Sequence, residues 1–348
     1  MKGPGVTWEN ESEVVHQMVS FGVVFRPGDL PLKVDHPKRK GCGKGGKWWY
    51  WLRSFTLRTG RSYIVGVFGS YKTGESEKVD WRVPEVSAED RARLHAERRA
   101  AEERAAEERR KEAEFAAASA REQWSRGRPT GSSPYLARKG VQGEACRYLP
   151  DGSLLIPLLR YDLERSRALR AVQRIYPGPR KHSRTGEDLP EKTFTKGFDP
   201  YRCSLRLGQV AGDEGVLMVC EGYATGLSVR MATERRAPVF VALNAGNLLG
   251  VATMLRELHP EAPILICADD DWRTVIRGVP TNVGRLKALE CAKRIENVHV
   301  VFPVFAPGRD DKDTDYNDLH ARQGLAAVRA QLMRALHWLA PCDWPRAA

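Results

Sequence analysis

Four short apolar runs, separated by stretches long enough for helices, constrain the fold of this chain most strongly. They occupy residues 216–220, 239–243, 264–268 and 298–302. The first three runs are continuously apolar and the fourth is apolar except for His299, a pattern typical of strands buried on both faces. The pattern predicts an α/β fold in which a parallel sheet is covered by helices on both sides.

Acidic residues follow two of these runs directly. Glu221 and Gly222 come after the first run, and Asp269, Asp270 and Asp271 come after the third. Open α/β sheets place their sites at the carboxyl ends of their strands, so we expect these acids to lie together. Either group alone could be a helix cap or a solvated turn, but neighbouring carboxylates repel unless a cation neutralises them. Because hard cations prefer oxygen ligands, we predict a Mg²⁺ or Mn²⁺ site, with Asp270 as a possible further ligand.

Basic side chains are concentrated away from this acidic group. The chain has 348 residues and a formal net charge of +12. Residues 126–210 contain 17 basic and 8 acidic side chains, and residues 1–82 contain 14 and 8. The excess indicates a polyanionic partner such as nucleic acid. The two segments therefore predict a cationic surface that complements the acidic site.

Composition divides the chain into five predicted segments. In order, they are a small β-rich domain rich in Trp and Lys (1–84), a charged helical linker (85–125), a basic β-containing subdomain (126–212), the α/β domain (213–325) and a C-terminal helix or tail (326–348). The linker alternates Ala, Glu and Arg without Gly or Pro, which favours a long solvent-exposed helix acting as a spacer. A coiled coil is less favoured because sustained apolar a and d positions are missing.

Residues 48–51 (WWYW) follow a Gly/Lys-rich stretch. They could stack bases of single-stranded nucleic acid or form the core of a small domain, and the sequence favours neither.

The cysteine pattern and the lack of a long apolar run indicate the cellular compartment and argue against a structural zinc site. The seven cysteines are scattered without a Cys-x-x-Cys pair, so we expect reduced thiols and no structural zinc. No long apolar run or signal peptide is evident, so we expect a cytoplasmic, bacterial protein without a membrane partner.

Five motifs resemble those of the Toprim domain, which is shared by bacterial-type primases, type IA and II topoisomerases, small nucleases and recombination proteins. The motifs are residues 221–226 (EGYATG), 242–248 (ALNAGNL), 268–271 (ADDD), 282–285 (NVGR) and 314–319 (TDYNDL). They are most similar to primase-type Toprim proteins of plasmids and phages, and the resemblance covers roughly residues 120–325. Unlike cellular replicative primases, the chain has no N-terminal Cys/His zinc module and no helicase P-loop motif.

The resemblance implies roles for the acidic residues. Glu221 would assist deprotonation of a primer 3′-hydroxyl, and Asp269 and Asp271 would bind Mg²⁺. A second polar group could close the site or form an Asx-rich turn, and it comprises Asp315, Asn317 and Asp318.

Several residues are candidates for contacts with template phosphates or nucleotides, namely Arg138, Lys139, Arg174, Lys181, Lys196, Asn244 and Arg285. The predicted function is a DNA primase that makes RNA primers on single-stranded DNA from nucleoside triphosphates, with a replicative helicase as partner. A Toprim nuclease and a non-catalytic nucleic-acid adaptor remain alternatives. A topoisomerase is less favoured because the chain is short for a gate and a tyrosine domain.

Overall fold

The structure is a computed structural model that describes residues 8–43, 46–71, 73–81, 87–184, 186–210, 215–276 and 278–340. The chain forms two units, one ending at Arg110 and the other beginning at Lys111. The predicted boundaries after residues 84 and 212, and the last eight residues of the predicted tail, lie outside the described ranges. No helix within those ranges is both long and apolar enough to cross a membrane.

Unit 1 contains a four-stranded antiparallel sheet, as its β-rich sequence predicts. Its elements are α1 (Glu11–Ser20), β1 (Lys40–Cys42), β2 (Trp48–Thr56), β3 (Ser62–Ser70), β4 (Ser76–Lys78) and the first part of α2 (Ala88–Ser125). The strands follow one another in the order β1-β2-β3-β4. Side chains alternate across β2, so Tyr50 and Leu52 join Val14 and Met18 of α1 in a buried core.

Helix α2 is the long helix that the sequence predicts, but it is not exposed along its whole length. Ala116, Ala117 and Ala120 are almost completely buried. Ala120 packs with Leu155 and Val172 of the adjoining sheet. The expectation of a simple solvated spacer is therefore wrong for this half, because its small side chains allow close packing.

Unit 2 begins with a small antiparallel subdomain that matches the predicted basic β-containing segment. Its elements are α3 (Pro134–Lys139), β5 (Arg147–Tyr148), β6 (Leu154–Leu159), β7 (Leu169–Ile175), β8 (Arg180–Lys181), β9 (Asp188–Leu189) and β10 (Lys192–Phe194). Four of these strands form a sheet in the order β10-β7-β6-β5, and β8 pairs with β9.

The larger sheet of unit 2 confirms the predicted parallel α/β fold. Its elements are β11 (Leu205–Leu207), β12 (Leu217–Cys220), α4 (Tyr223–Ala232), β13 (Val239–Val241), α5 (Leu248–Leu258), β14 (Ile264–Cys267), β15 (Val275–Ile276), β16 (Val279–Pro280), α6 (Val283–Arg294), β17 (Val298–Val301) and α7 (Tyr316–Leu339). The order is β11-β13-β12-β14-β17, with β11 antiparallel to β13 and the remaining pairs parallel. The four parallel strands coincide with the four apolar runs. The short edge strand β11 and the β15–β16 hairpin were not predicted.

Helix α7 is kinked, and its two halves both belong to this domain. Gly324 interrupts the helix with φ 80° and ψ 166°. The residues beyond this kink bury Val328, Leu332 and Leu336 in the same core as β12 and α4. The helix predicted for residues 326–348 is thus, as far as residue 339, an integral part of the α/β core.

Candidate active site

Strand register places Glu221 beside the acidic residues that follow β14. Cys220 at the end of β12 pairs with Cys267 at the end of β14. Glu221 and Asp269 therefore emerge from neighbouring parallel strands at the same edge of the sheet. Gly222 then adopts an extended conformation as the N-cap of α4, and Gly226 lets that helix approach the sheet closely. A Cβ at Gly226 would lie 2.8 Å from Val241.

Glu221 is buried, Asp269 is half-buried, and each acid experiences the negative charge of its neighbours. Burial, together with the charges of Asp271 and Asp315, raises the pKa of Glu221 to about 8, and a hydrogen bond from the Ala245 backbone acts in the opposite direction. Burial followed by the charge of Glu221 holds the pKa of Asp269 well above its ordinary value. The carboxylates are therefore close enough to repel one another.

One oxygen on each of these two acids has no partner in the part of the chain that the structure describes. Glu221 Oε1 and Asp269 Oδ1 are both buried and accept no hydrogen bond from those residues. Buried carboxylate oxygens without donors are costly unless a cation or another group satisfies them. Within the described ranges, no three acidic, His or Cys side chains form a preassembled metal cage. Mg²⁺, however, commonly binds through one or two carboxylates together with water and substrate phosphates, so the donor set fits a hard cation.

Asp270 lies between the two predicted ligands but is held by basic and amide groups. Arg309 donates to its Oδ2 at 2.6 Å and to its carbonyl oxygen at 2.9 Å. Asn282 donates to Oδ1 at 2.6 Å, and the Arg285 guanidinium lies 3.2 Å from the same oxygen. Burial alone would raise the pKa of Asp270, but the bonds from Arg309 and Asn282 bring it below its ordinary value. Both carboxylate oxygens are thus engaged within the protein.

The N-terminus of α6 fixes the other two aspartates. The backbone N–H of Gly284 donates to Asp271 Oδ2 at 3.2 Å, and Asn282 Oδ1 accepts from the Asp271 N–H at 3.0 Å. A Cβ at Gly284 would lie 2.5 Å from the carbonyl oxygen of Asp269. This close approach explains physically why a glycine suits the NVGR motif.

The second polar group forms the start of α7. Asp315 and Asp318 make a capping box, in which Asp315 accepts from the Asp318 N–H at 2.9 Å. Thr225 of α4 donates to Asp315 Oδ2 at 2.9 Å. Asn317 is buried and donates to the carbonyl oxygen of Lys139 at 2.9 Å. The group therefore caps a helix and ties it to α3 and α4, while Asp315 contributes negative charge beside Glu221.

Lysine side chains from the small subdomain face this acidic region. Lys139 Nζ lies 3.8 Å from Asp318 Oδ1. Lys192 on β10 is exposed, yet the protein atoms around its amine lower the pKa of Lys192, and Lys139 lowers it further. The charges of Asp315 and Asp269 act in the opposite direction. The basic subdomain and the carboxylates, which are far apart in sequence, thus meet in space.

The remaining predicted nucleic-acid contacts are more dispersed. Arg138 forms an ion pair with Glu191, and Arg174 forms one with Asp151. Asn244 caps the short 3-10 helix Ala245–Asn247 by accepting from the Asn247 N–H. Two further candidates, Lys181 and Lys196, are exposed.

Sequence reasoning missed Arg309 and Lys192. Arg309 lies 39 positions after its partner Asp270, in a loop without a recognisable motif. Lys192 is one of many lysines in a basic segment, and no spacing distinguishes it. Only the tertiary fold brings both residues to the site.

A Toprim domain family profile matches residues 216–326. These residues therefore form a Toprim domain, as the motifs predict.

Over most of its length the chain is also similar to two Escherichia coli proteins, each described as DNA primase TraC. One is 27% identical over 346 residues, covering 94% of this chain and 30% of the relative. The other is 25% identical over 320 residues, covering 90% of this chain and 21% of the relative. The chain thus spans less than a third of the length of these curated relatives.

Among solved structures, the primase fragment of the bacteriophage T7 primase-helicase protein gives a TM-score of 0.38 at 14% identity, covering 58% of this chain and 74% of the fragment. The Aquifex aeolicus primase (zinc-binding and RNA polymerase domains) gives a TM-score of 0.37 at 13% identity, covering 96% of this chain and 84% of that structure.

Proposed function

We propose that this chain is a DNA primase that joins nucleoside triphosphates into short RNA primers on a single-stranded DNA template. The observation that carries the proposal is the pair of mutually repelling carboxylates at adjacent strand ends, each with a buried oxygen that has no partner among the described residues. The extended similarity to DNA primase TraC supports priming over other Toprim activities.

Glu221, Asp269 and Asp271 are the residues that would hold Mg²⁺ or Mn²⁺. When bound, the ion would neutralise charge on the reacting phosphates and on the leaving pyrophosphate. Glu221 would also accept the proton of the primer 3′-hydroxyl, because its buried Oε1 accepts no hydrogen bond from the described residues. Asp270, whose oxygens are engaged by Arg309 and Asn282, would position its neighbours rather than bind the ion.

Lys139 and Lys192 are the basic groups best placed to meet nucleotide phosphates. They lie on the small subdomain within electrostatic range of the acidic residues. Phosphates held there would lie between fixed positive charge and the metal-binding acids, which is the arrangement that phosphoryl transfer requires. We further propose that Lys181 and Lys196, exposed on the same subdomain, and the half-buried Arg174 contact the template.

Template, substrates and partners are part of the same proposal, because the relatives are much longer than this chain. We place the activity in plasmid or phage replication, where a replicative helicase would expose single-stranded DNA. The protein would act in the bacterial cytoplasm.

The test is a priming assay with purified protein, single-stranded DNA, NTPs and Mg²⁺. Wild type should yield short RNA products, and Glu221→Gln and Asp269→Asn should reduce their formation by about 10² to 10⁴-fold. Glu296→Gln, which changes an exposed acid, is the matched control and should prime normally. Absence of primers from a folded wild type would reject the proposal. DNA cutting without NTPs would instead assign a nuclease, and Asp269-independent DNA binding without either activity would assign an adaptor.

A further inference from the structure

The sheet of unit 1 has one filled face and one face that borders a cavity. Tyr50 and Leu52 of β2 point into the core beneath α1. Trp51, Arg53 and Phe55 alternate with them and therefore lie on the other face. There they border a cavity of about 440 Å³, within the size range of small-molecule pockets.

Aromatic and aliphatic groups make up much of the cavity wall. Phe55 and Trp81 meet edge to face with ring centroids 5.9 Å apart, and Val65 and Leu94 pack beside them. Trp51 forms another part of the wall and is only half-buried. The WWYW sequence is thus divided, with Trp49 and Tyr50 buried and Trp51 lining a cavity.

Two hydrogen-bond donors at this wall lack acceptors. The indole N–H of Trp51 and the Nε–H of Arg53 are both buried, and neither finds an acceptor among the described residues. The Arg53 guanidinium lies 5.1 Å from the centroid of the Trp51 ring. A buried donor without an acceptor is unfavourable, so a small side-chain movement that brought either donor to an acceptor on a ligand would be stabilising.

The side chains that line the cavity include four basic and three acidic groups, which leaves a small net positive charge. Glu102 is paired with Arg98 at 2.7 Å, and Asp35 accepts a 2.9 Å bond from the Ser54 N–H. Arg53, Lys78 and Arg104 also line the cavity, and Glu97 opposes them. An aromatic wall with cations at its margin suits a flat base joined to a phosphate.

We propose that this cavity binds a base of single-stranded nucleic acid, with Trp51 and Trp81 contacting the base and Arg53 and Lys78 contacting the adjoining phosphate. The occupant is a strand rather than a free nucleotide, because residues 1–82 carry 14 basic and 8 acidic side chains, a surplus suited to several phosphates. This site is separate from the carboxylate site and would be a second binding site for the template strand.

The test measures binding of the full chain to fluorescein-labelled oligo(dT) by anisotropy, without Mg²⁺ or NTPs. Trp51→Leu and Arg53→Gln should each raise Kd by about ten-fold, and Glu97→Gln should lower it, since a repelling charge is removed. Trp338→Leu and Lys293→Gln are matched controls, because Trp338 is 70% exposed and Lys293 is an exposed cation, and both belong to unit 2. Circular dichroism and Tm report whether each variant is folded.

A second measurement locates the base directly. Irradiation of a 5-iodouracil oligonucleotide bound to wild type should crosslink Trp51 or Trp81, as mapped by mass spectrometry. Crosslinks only in unit 2, unchanged Kd in folded Trp51→Leu, or equal competition by mononucleotides would overturn the proposal. Priming by Glu221→Gln is measured separately, so failure of this site and failure of the primase proposal give different results.

Discussion

Gly284, the second residue of α6, lies against the backbone of Asp269, and replacing it with Ala tests how tightly the acidic site is positioned. The added Cβ would lie 2.5 Å from the Asp269 carbonyl oxygen and 3.1 Å from its Cβ. Ordinary contacts begin near 3.4 Å, so helix and aspartate must separate by about 0.9 Å. The atoms involved are backbone or next to it, and they cannot turn aside as a flexible side chain would.

The expected effect is large on activity and small on stability. Misplacing a catalytic group by about 1 Å can cost about 10²-fold in rate, so priming by Gly284→Ala should fall by about 10 to 100-fold. Overpacking costs about 1–3 kcal/mol, but Ala is favoured over Gly in a helix by about 1 kcal/mol, so the net loss of unfolding free energy should be about 0–2 kcal/mol.

The assay compares initial priming rates across a Mg²⁺ titration with urea unfolding of the same preparations. Gly178→Ala is the control, since a Cβ there meets nothing within 4 Å. A folded Gly284→Ala protein with wild-type rate and Mg²⁺ dependence would refute the claim that this contact sets the position of Asp269.

Three other changes probe single contacts. Arg309→Gln removes the guanidinium that bonds Asp270, and urea unfolding should show a loss of about 2 kcal/mol, whereas no loss would mean that the pair contributes nothing. Thr225→Val keeps the side-chain shape but removes the hydroxyl donor to Asp315, so we expect a loss of about 1 kcal/mol, and equal stability would argue against that bond. Asp29 has a pKa lowered to about 2, chiefly by the side-chain bond from the arginine three positions earlier. Its folded pKa lies below the ordinary 3.8, so it stabilises unit 1 above about pH 4, and this contribution is lost as pH falls toward 2. The stability difference between wild type and Asp29→Asn should shrink over that interval, and a constant difference would contradict the shift.

The sequence by itself determined the sheet and the position of its acids. Parallel strands covered on both faces are largely apolar, so the four runs were visible without knowledge of their partners, although His299 interrupts the fourth. Glu221 and Asp269 each follow such a run directly, and because the two strands are parallel neighbours, both acids emerge at the same edge of the sheet. The long helix α2 was equally evident from its local composition.

Only the tertiary structure decided what surrounds those acids. Whether Asp270 faces a cation or a guanidinium depends on Arg309, which a loop brings from 39 positions away. Strand register decided which member of the WWYW sequence enters the core and which borders the cavity, because neighbouring side chains point to opposite faces. Lys192 reaches the acidic region because the small subdomain packs against the sheet, a contact that no local pattern encodes. Hydrophobic periodicity is a local property of the chain, whereas charge pairing depends on distances that exist only after folding.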